Sequence, residues 1–387
     1  MKLWKNNTPS VHIVDDNKLW PRCSYILPDE LNSAPFTEAI PVPHKIRPYY
    51  PSRAEGGSTA VYRAGAIGDA IMATAIVRYL VDTSGGSVDI YCPARNMSLF
   101  AGLGANAYPL PPTLEAFESY DAHVPLDDLF SGKVGNTELG TGPGCHYDRI
   151  YNWMGAEGLV ADISGKVGDV KLVDPKYKRP HLYVVQPDHE ELVKSGRWPL
   201  PNPYFVYHVS SSGPTRTYPP QLGKLAVQAL LEEFPKHHAV IIGLDRSIDF
   251  NIQHPRIFDL FNSTGNVRTL FPIVNGADFV VAPDSSVNHM AAGLDTACIS
   301  LWGSYDPMDR CKYYPKSYPV FAPEVCPHAP CRPHGALPQA KCKDASNKTK
   351  GTQYWCNALR NITPEMIVDA AKKAVELEEK PQGSYRM

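Results

Sequence analysis

The sequence predicts an α/β protein of two domains, each built on an open parallel sheet. Short β-prone apolar runs are followed at once by polar turns and helical patterns, first near residue 60 and again beyond residue 204. The chain has 387 residues, enough for two domains that each bury a core. Its content of 43% hydrophobic and 20% charged residues is typical of an ordinary globular protein.

Residues 1–55 precede the first of these units. They contain no periodic helix longer than a couple of turns, yet they carry aromatic residues such as Trp4, Trp20 and Tyr25. This segment is too aromatic for simple disorder. We therefore predict an N-terminal extension that packs on the surface as a structural strap.

The first domain opens with a β-prone run at 59–64, followed by a helix. Apolar residues at positions 71, 72, 75, 76, 79 and 80 follow the helical period. Gly68 and Asp69 therefore mark the turn from strand to helix. Two interpretations of the Asp69 carboxylate are open. It caps its helix, as Asp commonly does, or it acts as a general base on a hydroxyl that loses its proton during bond formation.

The second domain begins with a strand at 204–209 and a polar loop. Ser210 and Ser211 start this loop, Arg216 follows, and the next strand ends at Gly243. The forked guanidinium of Arg216 is well matched to phosphate oxygens. Taken alone, a Ser-Ser-Ser-Gly-Pro run is a flexible loop. Its position between a buried strand and a helix favours a ligand site.

A further strand, polar turn and helix begin at residue 279, and another apolar strand follows directly. Asp284, Ser285 and Ser286 lie at the carboxyl end of the first strand, where ligands bind in open α/β sheets against helix N-termini. The serine hydroxyls can donate to phosphate, whereas Asp284 would repel it and suits sugar hydroxyls. A nucleotide sugar has both parts. His289 is either a satisfied buried histidine or a phosphate contact.

These three segments, in this order, resemble glycosyltransferase family 9, the ADP-heptose:lipopolysaccharide heptosyltransferases. The family pattern is Asp-(Ser/Thr)-Gly-x-x-His-x-Ala-Ala, then Gly-Pro-Thr-Asp-Pro after the next strand. Here Ser286 stands in place of the glycine, and Ser304-Tyr305 in place of Pro-Thr. The family carries a similar Gly-Asp at its first turn from strand to helix. The resemblance covers about 59–82 and 203–375, while residues 84–200 match only in pattern.

The resemblance implies the GT-B architecture, in which two Rossmann-like domains face each other across a cleft. Residues 56–195 would form the acceptor-side domain and residues 203–360 the domain that binds a nucleotide sugar. A last helix, within 363–380, would cross back to the first domain. With the N-terminal extension and a Cys-rich C-terminal loop, this completes the predicted organisation.

The resemblance also implies inverting transfer of a heptose or hexose from a nucleotide-diphospho-sugar, with an ADP-sugar favoured. The acceptor hydroxyl would belong to a glycan or a lipid-linked glycan such as a lipopolysaccharide core. Asp69 would be the general base. The donor-binding residues would be Gly68, Ser210, Ser211, Arg216, Gly243, Asp284, Ser285, Ser286 and His289.

Three other functions remain open from the sequence. A sugar-nucleotide epimerase or hydrolase could share this scaffold, as could a transferase acting on modified DNA bases or a non-catalytic sugar-binding module. The net charge of −2 offers no support for a basic groove, so a nucleic-acid partner is disfavoured. The absence of a signal peptide and of any apolar run of about twenty residues predicts a cytoplasmic protein without a transmembrane segment.

No cofactor is expected for catalysis, because the chain contains no Asp-x-Asp pair of the kind that holds a diphosphate through a divalent metal. Four cysteines fall in one window with C-x4-C-x10-C-x13-C spacing, which is looser than a zinc ribbon. A structural metal such as zinc and unpaired thiols are both consistent with this spacing, whereas disulfides are disfavoured in the cytoplasm. The candidate ligands are Cys326, Cys331, Cys342 and Cys356.

Overall fold

The computed structural model describes residues 57–126, 145–151, 173–331 and 356–378, with gaps of one to three residues inside these ranges, and five strands within the first 41 residues. These early strands form a three-stranded antiparallel sheet of order β4-β1-β5 and a separate β2-β3 hairpin. The sequence analysis did not predict these strands, and only the aromatic content of the segment pointed to ordered structure. Their bounds are β1 (Lys2–Asn6), β2 (His12–Val14), β3 (Asn17–Leu19), β4 (Ser24–Leu27) and β5 (Phe36–Pro41). The packing predicted for the strap lies outside the described residues.

A four-stranded parallel sheet forms the centre of the first domain. Its strand order is β8-β7-β6-β9, and every pair is parallel. The strands are β6 (Thr59–Tyr62), β7 (Val88–Cys92), β8 (Asn106–Pro109) and β9 (Ala122–Pro125). Parallel neighbours need crossover connections, and helix α1 (Ile67–Thr83) supplies the one between β6 and β7.

Helix α1 is buried around most of its circumference. Every residue from Ala70 to Val77 is buried, including the small Ala73 and Ala75 that a one-sided helix would expose. A helix with apolar residues on all sides is covered on all sides. This explains its position, because α1 packs on the first sheet and also against a helix of the second domain.

A six-stranded sheet, again entirely parallel, forms the centre of the second domain. Its order is β12-β11-β10-β13-β14-β15, so the chain builds outward from β10 in one direction and then from β13 in the other. The strands are nearly continuous apolar runs, as expected for a parallel sheet covered on both faces. They are β10 (Tyr204–His208), β11 (His238–Ile242), β12 (Ile257–Asp259), β13 (Phe279–Pro283), β14 (Ala297–Trp302) and β15 (Ser317–Phe321).

The helices of this part of the chain connect or cover these strands. Proline occupies the first or second position of three of them, which begin at Gln186, Pro220 and Pro364, and there its missing N–H costs nothing. They are α2 (Gln186–Lys194), α3 (Pro220–Glu233), α4 (Leu270–Asn275), α5 (Ser286–Gly293) and α6 (Met308–Cys311), followed by α7 (Asn357–Arg360) and α8 (Pro364–Glu378). No helix in the described part of the chain is long and apolar enough to cross a bilayer.

The last helix, α8, packs on the second domain instead of crossing back to the first as predicted. It lies against α3 and against strands β13, β14 and β15. Ile367, Ala371 and Ala374 are fully buried in the core of that domain. Spacings of three and four place these side chains on one helix face. Because this apolar face packs on the second domain, the prediction that the last helix crosses back to the first domain is wrong.

Candidate functional site

The order of the second sheet reverses between β10 and β13. Polar side chains follow both strands: His208 ends β10 with Ser210 and Ser211 behind it, and Asp284 and Ser285 follow β13. Adjacent loops diverge at such a point and leave a crevice at the carboxyl ends of the strands, which is where ligands bind in open parallel sheets. The sheet topology thus brings together two loops separated by about 75 residues in the sequence.

Hydrogen bonds join these two loops. The Ser211 hydroxyl donates to the backbone carbonyl of Asp284 at 2.6 Å, and His208 Nδ1 lies 3.0 Å from Ser285 Oγ. Burial lowers the pKa of His208 to about 4, so the imidazole is neutral at pH 7. Ser210 is itself buried beside them. The loop that the sequence alone could not distinguish from a flexible segment is therefore fixed to the β13–α5 turn.

The Asp284 carboxylate is the most enclosed charge of this site, with 3% of its side chain exposed. Burial acts to raise its pKa, but the positive charges of Arg310 and Arg216 outweigh burial and hold the pKa below its ordinary value. Arg216 Nη1 lies 3.5 Å from Asp284 Oδ2, and its Nη2 donates to Ser212 Oγ. Asp284 Oδ1 is buried with no hydrogen-bond partner among the described residues. An ionised carboxylate thus keeps one oxygen available for a donor.

Helix α5 begins at Ser286, with Ser285 as its extended N-cap residue. The backbone N–H groups of a first helical turn have no partner within the helix and favour anions. Asp284 precedes this end directly. The predicted residues Asp284, Ser285 and Ser286 therefore surround one helix N-terminus.

His289 is buried in α5, and Tyr314 fixes its ring. The Nδ1 atom lies 2.8 Å from the Tyr314 hydroxyl, and burial lowers the pKa of His289 to about 4. The imidazole is therefore neutral at pH 7. The Cδ2 edge faces the first domain, where a Cβ added to Gly68 would lie 3.5 Å from it. His289 is thus satisfied on one nitrogen, and its other edge is directed toward the junction of the domains.

Asp69 lies at the N-terminus of α1 and has two partners. Its Oδ2 accepts a hydrogen bond from the backbone N–H of Ala66 at 3.0 Å, and Arg63 Nη2 lies 3.1 Å from Oδ1. The capping contact that the sequence left open is therefore present. The side chain remains 38% exposed. A carboxylate has about four lone-pair sites, so these two contacts leave acceptor capacity toward solvent.

The N-terminal ends of α1 and α5 meet at Gly68. A Cβ built there would make an ordinary van der Waals contact with the Cα of Ser286 at 3.5 Å, so the gap between the two backbones is about one methyl group wide. The structure thus brings the Asp69 turn of the first domain to the Asp284 turn of the second.

Gly243, which is among the predicted donor-binding residues, directly follows strand β11 and contacts residues near it. Its φ is +146°, and an added Cβ would meet the ring of Phe261 at 3.0 Å. Its carbonyl accepts a hydrogen bond from the N–H of Asn262. Backbone geometry alone accounts for this glycine, so a contact with donor remains a prediction.

Sequence reasoning missed Arg63, Tyr314 and Arg310. Arg63 is buried directly after β6, within the β-prone run at 59–64. A cation placed six residues before an acidic residue in a first helical turn is a weak signal that could have suggested its pairing with Asp69. Tyr314 and Arg310 lie far from their partners in sequence, and only the tertiary structure brings them to the site.

The described cysteines of the C-terminal window are Cys326, Cys331 and Cys356. Cys326 and Cys356 are buried. Burial, together with the neighbouring thiols, raises the pKa of Cys356. No group of three or more His, Cys, Asp or Glu side chains that could hold a metal occurs among the described residues. Cys342, the fourth predicted ligand, lies outside them, so the structural metal remains a prediction.

The sequence model of glycosyltransferase family 9 (heptosyltransferase) matches residues 265–335. The match covers 71 of the 387 residues, and over this segment the chain is similar to that family. The matched part contains the Asp284 turn, α5 and β14, whereas Asp69 and Arg216 lie outside it. No curated protein sequence matches the chain.

Solved structures of glycosyltransferases share the fold. ADP-heptose lipopolysaccharide heptosyltransferase II of E. coli matches with a TM-score of 0.58 and 14% identity, over 83% of this chain and 99% of its own. A family 9 glycosyl transferase from Veillonella parvula DSM 2008 matches with a TM-score of 0.56 and 12% identity, over 83% and 98%. At such low identity these similarities establish the architecture of the GT-B heptosyltransferases.

A third relative is TibC of enterotoxigenic E. coli H10407, an iron-containing dodecameric glycosyltransferase. It matches with a TM-score of 0.55 and 13% identity, over 88% of this chain and 78% of its own. Its complex with ADP-D-β-D-heptose matches with a TM-score of 0.56 and 12% identity, over 97% and 91%. The predicted resemblance to glycosyltransferase family 9 and the predicted α/β class with two parallel sheets are therefore confirmed.

Proposed function

We propose that the protein is an inverting glycosyltransferase that moves a heptose or hexose from a nucleotide-diphospho-sugar to an acceptor hydroxyl. One observation carries this proposal: the exposed carboxylate of Asp69 and the buried group of Asp284 and Arg216 approach each other where the two helix N-termini meet. A base at one side and an anion site at the other are the two parts that displacement of a diphosphate requires.

The second domain would hold the donor. The N-terminus of α5 and the guanidinium of Arg216 would bind the diphosphate, since both favour anions. Arg216 already contacts Asp284 through Nη1 and Ser212 through Nη2. A donor therefore meets a cation whose orientation is set in advance. The available Oδ1 of Asp284 would accept a hydrogen bond from a sugar hydroxyl.

The first domain would supply the base. In the reaction, the acceptor oxygen forms a bond to the anomeric carbon while the bond from that carbon to the phosphate oxygen breaks. The acceptor proton passes to Asp69, and the bonding electrons leave with the nucleoside diphosphate. Attack opposite the leaving group inverts the anomeric centre. Arg63 keeps the Asp69 carboxylate in place for this transfer.

The family and the ADP-D-β-D-heptose complex of TibC favour an ADP-sugar as the donor. We expect a glycan or a lipid-linked glycan as the acceptor. The iron of TibC is a property of that protein. In this chain a metal would sit among the thiols of Cys326, Cys331, Cys342 and Cys356, and elemental analysis of the purified protein tests for it.

The experiment that tests the proposed function is a thermal-shift panel of ADP-, UDP-, GDP- and CDP-sugars, followed by a transfer assay with the donor that binds. A ligand that binds only the native state raises the melting temperature by mass action. We expect one nucleotide class to dominate and turnover to require an acceptor. Consumption of donor at the same rate without acceptor would favour a hydrolase or epimerase, and the absence of any shift would contradict the proposal.

A further inference from the structure

Arg310 reaches the site from a third loop. It lies in α6, which follows β14, and β14 is the neighbour of β13 in the second sheet. The start of α6 is fixed because Asp306 Oδ1 accepts a hydrogen bond from the N–H of Met308 at 2.8 Å. The carboxyl ends of parallel neighbours lie at one edge of a sheet, so Arg310 and Asp284 share that edge.

Arg216 and Arg310 flank the Asp284 strand. Arg216 comes from the loop after β10, and Arg310 follows β14, while the strand order is β10-β13-β14. Asp284, at the end of β13, therefore lies between the loops that carry the two arginines. Their positive charges hold the pKa of Asp284 below its ordinary value. Both arginines thus act on the same carboxylate.

The guanidinium of Arg310 is less engaged than that of Arg216. Its Cζ lies 4.8 Å from the centre of the Tyr305 ring, which supports one face. No carboxylate oxygen of the described residues lies within 4.0 Å of its nitrogens, and its buried Nε has no hydrogen-bond partner there. Tyr305 therefore orients a guanidinium group that has N–H donors available to a ligand.

Around Asp284 the two arginines outnumber the buried carboxylate. Arg63 and Asp69 form an ion pair, and Asp306 and Asp309 at the start of α6 are only half-buried, which leaves Asp284 as the buried anion near Arg216 and Arg310. A cation that is largely withdrawn from water is unfavourable unless an anion lies near it, and a ligand can supply that anion. A diphosphate supplies more than one negative charge and several acceptor oxygens, so it matches this imbalance.

We propose that Arg310 is a second cationic ligand of the donor diphosphate, placed on the opposite side of Asp284 from Arg216. This inference rests on the proposed function. In the sequence, position 310 lies beyond the Asp-Pro element at 306–307 and has no motif that would mark it. Its role follows from the sheet order, from the Tyr305 contact and from its unused donors.

Calorimetric titration tests the inference. ADP, UDP, GDP and CDP, and in parallel inorganic pyrophosphate and the four nucleosides, are titrated into wild-type protein and into Arg310→Ala, Arg310→Lys and Arg216→Ala. Hydrogen bonds to charged groups predict a loss of about 10- to 100-fold in nucleoside diphosphate affinity for Arg310→Ala. We expect a smaller loss for Arg310→Lys, which keeps the charge without the fork, and unchanged nucleoside binding for all variants.

Arg179→Ala is the matched control. Arg179 pairs with Asp295 at the other end of α5, so its removal deletes an arginine of the same domain junction without touching the site. Diphosphate binding of Arg310→Ala at wild-type strength, with a loss for Arg216→Ala, would overturn the inference and leave the proposed function standing. Wild-type protein that binds none of the four nucleoside diphosphates would overturn both. Melting temperatures without ligand, together with Arg310→Lys, separate a lost contact from a lost fold.

Discussion

Two strand-to-helix turns of this protein have the same design but place an aspartate in opposite surroundings. In the first domain, Asp69 lies inside α1, caps it, and keeps 38% of its side chain exposed. In the second domain, Asp284 precedes α5, caps nothing with its side chain, and keeps 3% exposed. Exposure lets a carboxylate exchange protons with a substrate, whereas enclosure between cations keeps it ionised. The comparison shows how one fold unit can provide a proton acceptor and a fixed charge.

The largest expected effect is on the exposed member of this pair. Asp69→Asn should reduce sugar transfer by roughly 10²- to 10⁴-fold, because it removes the general base. It should leave donor affinity nearly intact, since the donor lies at the other turn. Turnover with the donor found in the thermal-shift panel, and calorimetric titration of the same donor, measure the two effects separately.

Asp278→Asn is the control for this substitution. Asp278 has the same exposed fraction, 38%, and also a basic partner, His237 at 2.9 Å, but it stands at the amino end of β13, away from both turns. Its replacement should leave transfer unchanged. Wild-type turnover of Asp69→Asn would mean that Asp69 is a cap only and that the base lies elsewhere.

Asp284, the buried aspartate, should affect ligand affinity and not the rate of transfer, and the expected effect is smaller. Asp284→Asn removes the negative charge between two arginines, so ADP should bind at least as tightly as it does to the wild type. The additional affinity of an ADP-sugar over ADP should fall by about tenfold, the value of one hydrogen bond to a charged group. Titration of both ligands gives the ratio. A large loss of ADP affinity itself would show that Asp284 is needed to hold the phosphate site together.

The two site histidines, His208 and His289, make the free energy of unfolding depend on pH. Burial lowers the pKa of His208 and of His289 to about 4, while an unfolded histidine titrates near 6.5. The unfolded chain therefore binds more protons between these values, and the free energy of unfolding falls as the pH drops from about 6.5 to about 4. Each histidine contributes about 3 kcal/mol at most. Denaturant titration across this range should show a shallower decline for His289→Gln, and an unchanged slope would contradict the burial of a neutral imidazole.

No effect is expected from chelation on the chemistry itself. Each of the two aspartates has an arginine partner, and the chain has no Asp-x-Asp pair to hold a divalent ion against a diphosphate. Transfer should therefore continue in EDTA. If brief chelation stops turnover without loss of fold, and magnesium or manganese restores it, the proposal that the diphosphate is bound without a metal ion is wrong.

The sequence could predict both turns because each is a local unit of strand, polar turn and helix. At α1, the apolar residues that follow the helical period are also the ones that are buried in the structure. Asp284 and Ser285 lie where the apolar run of β13 stops. Arg63 and Arg310 were not predicted. The partner of Arg63 depends on where strand β6 ends, and the surroundings of Arg310 depend on the order of several strands. A pattern within one segment carries no information on which strands become neighbours.

The final helix illustrates the same limit. Its bounds follow from an Ile-Thr-Pro-Glu start and an apolar period, but these features do not say which domain its face will cover. In the structure Ile367 and Ala371 are buried in the second domain. Strands β1, β4 and β5 were missed for a related reason, because these short antiparallel pairs depend on partners distant in sequence.

A crystal structure of the protein with ADP would locate the diphosphate directly. We expect the diphosphate at the N-terminus of α5, between the guanidinium groups of Arg216 and Arg310, with Asp69 facing it from the first domain. A diphosphate bound elsewhere, with Asp284 still enclosed by protein side chains alone, would contradict the assignment of the two turns to donor and base.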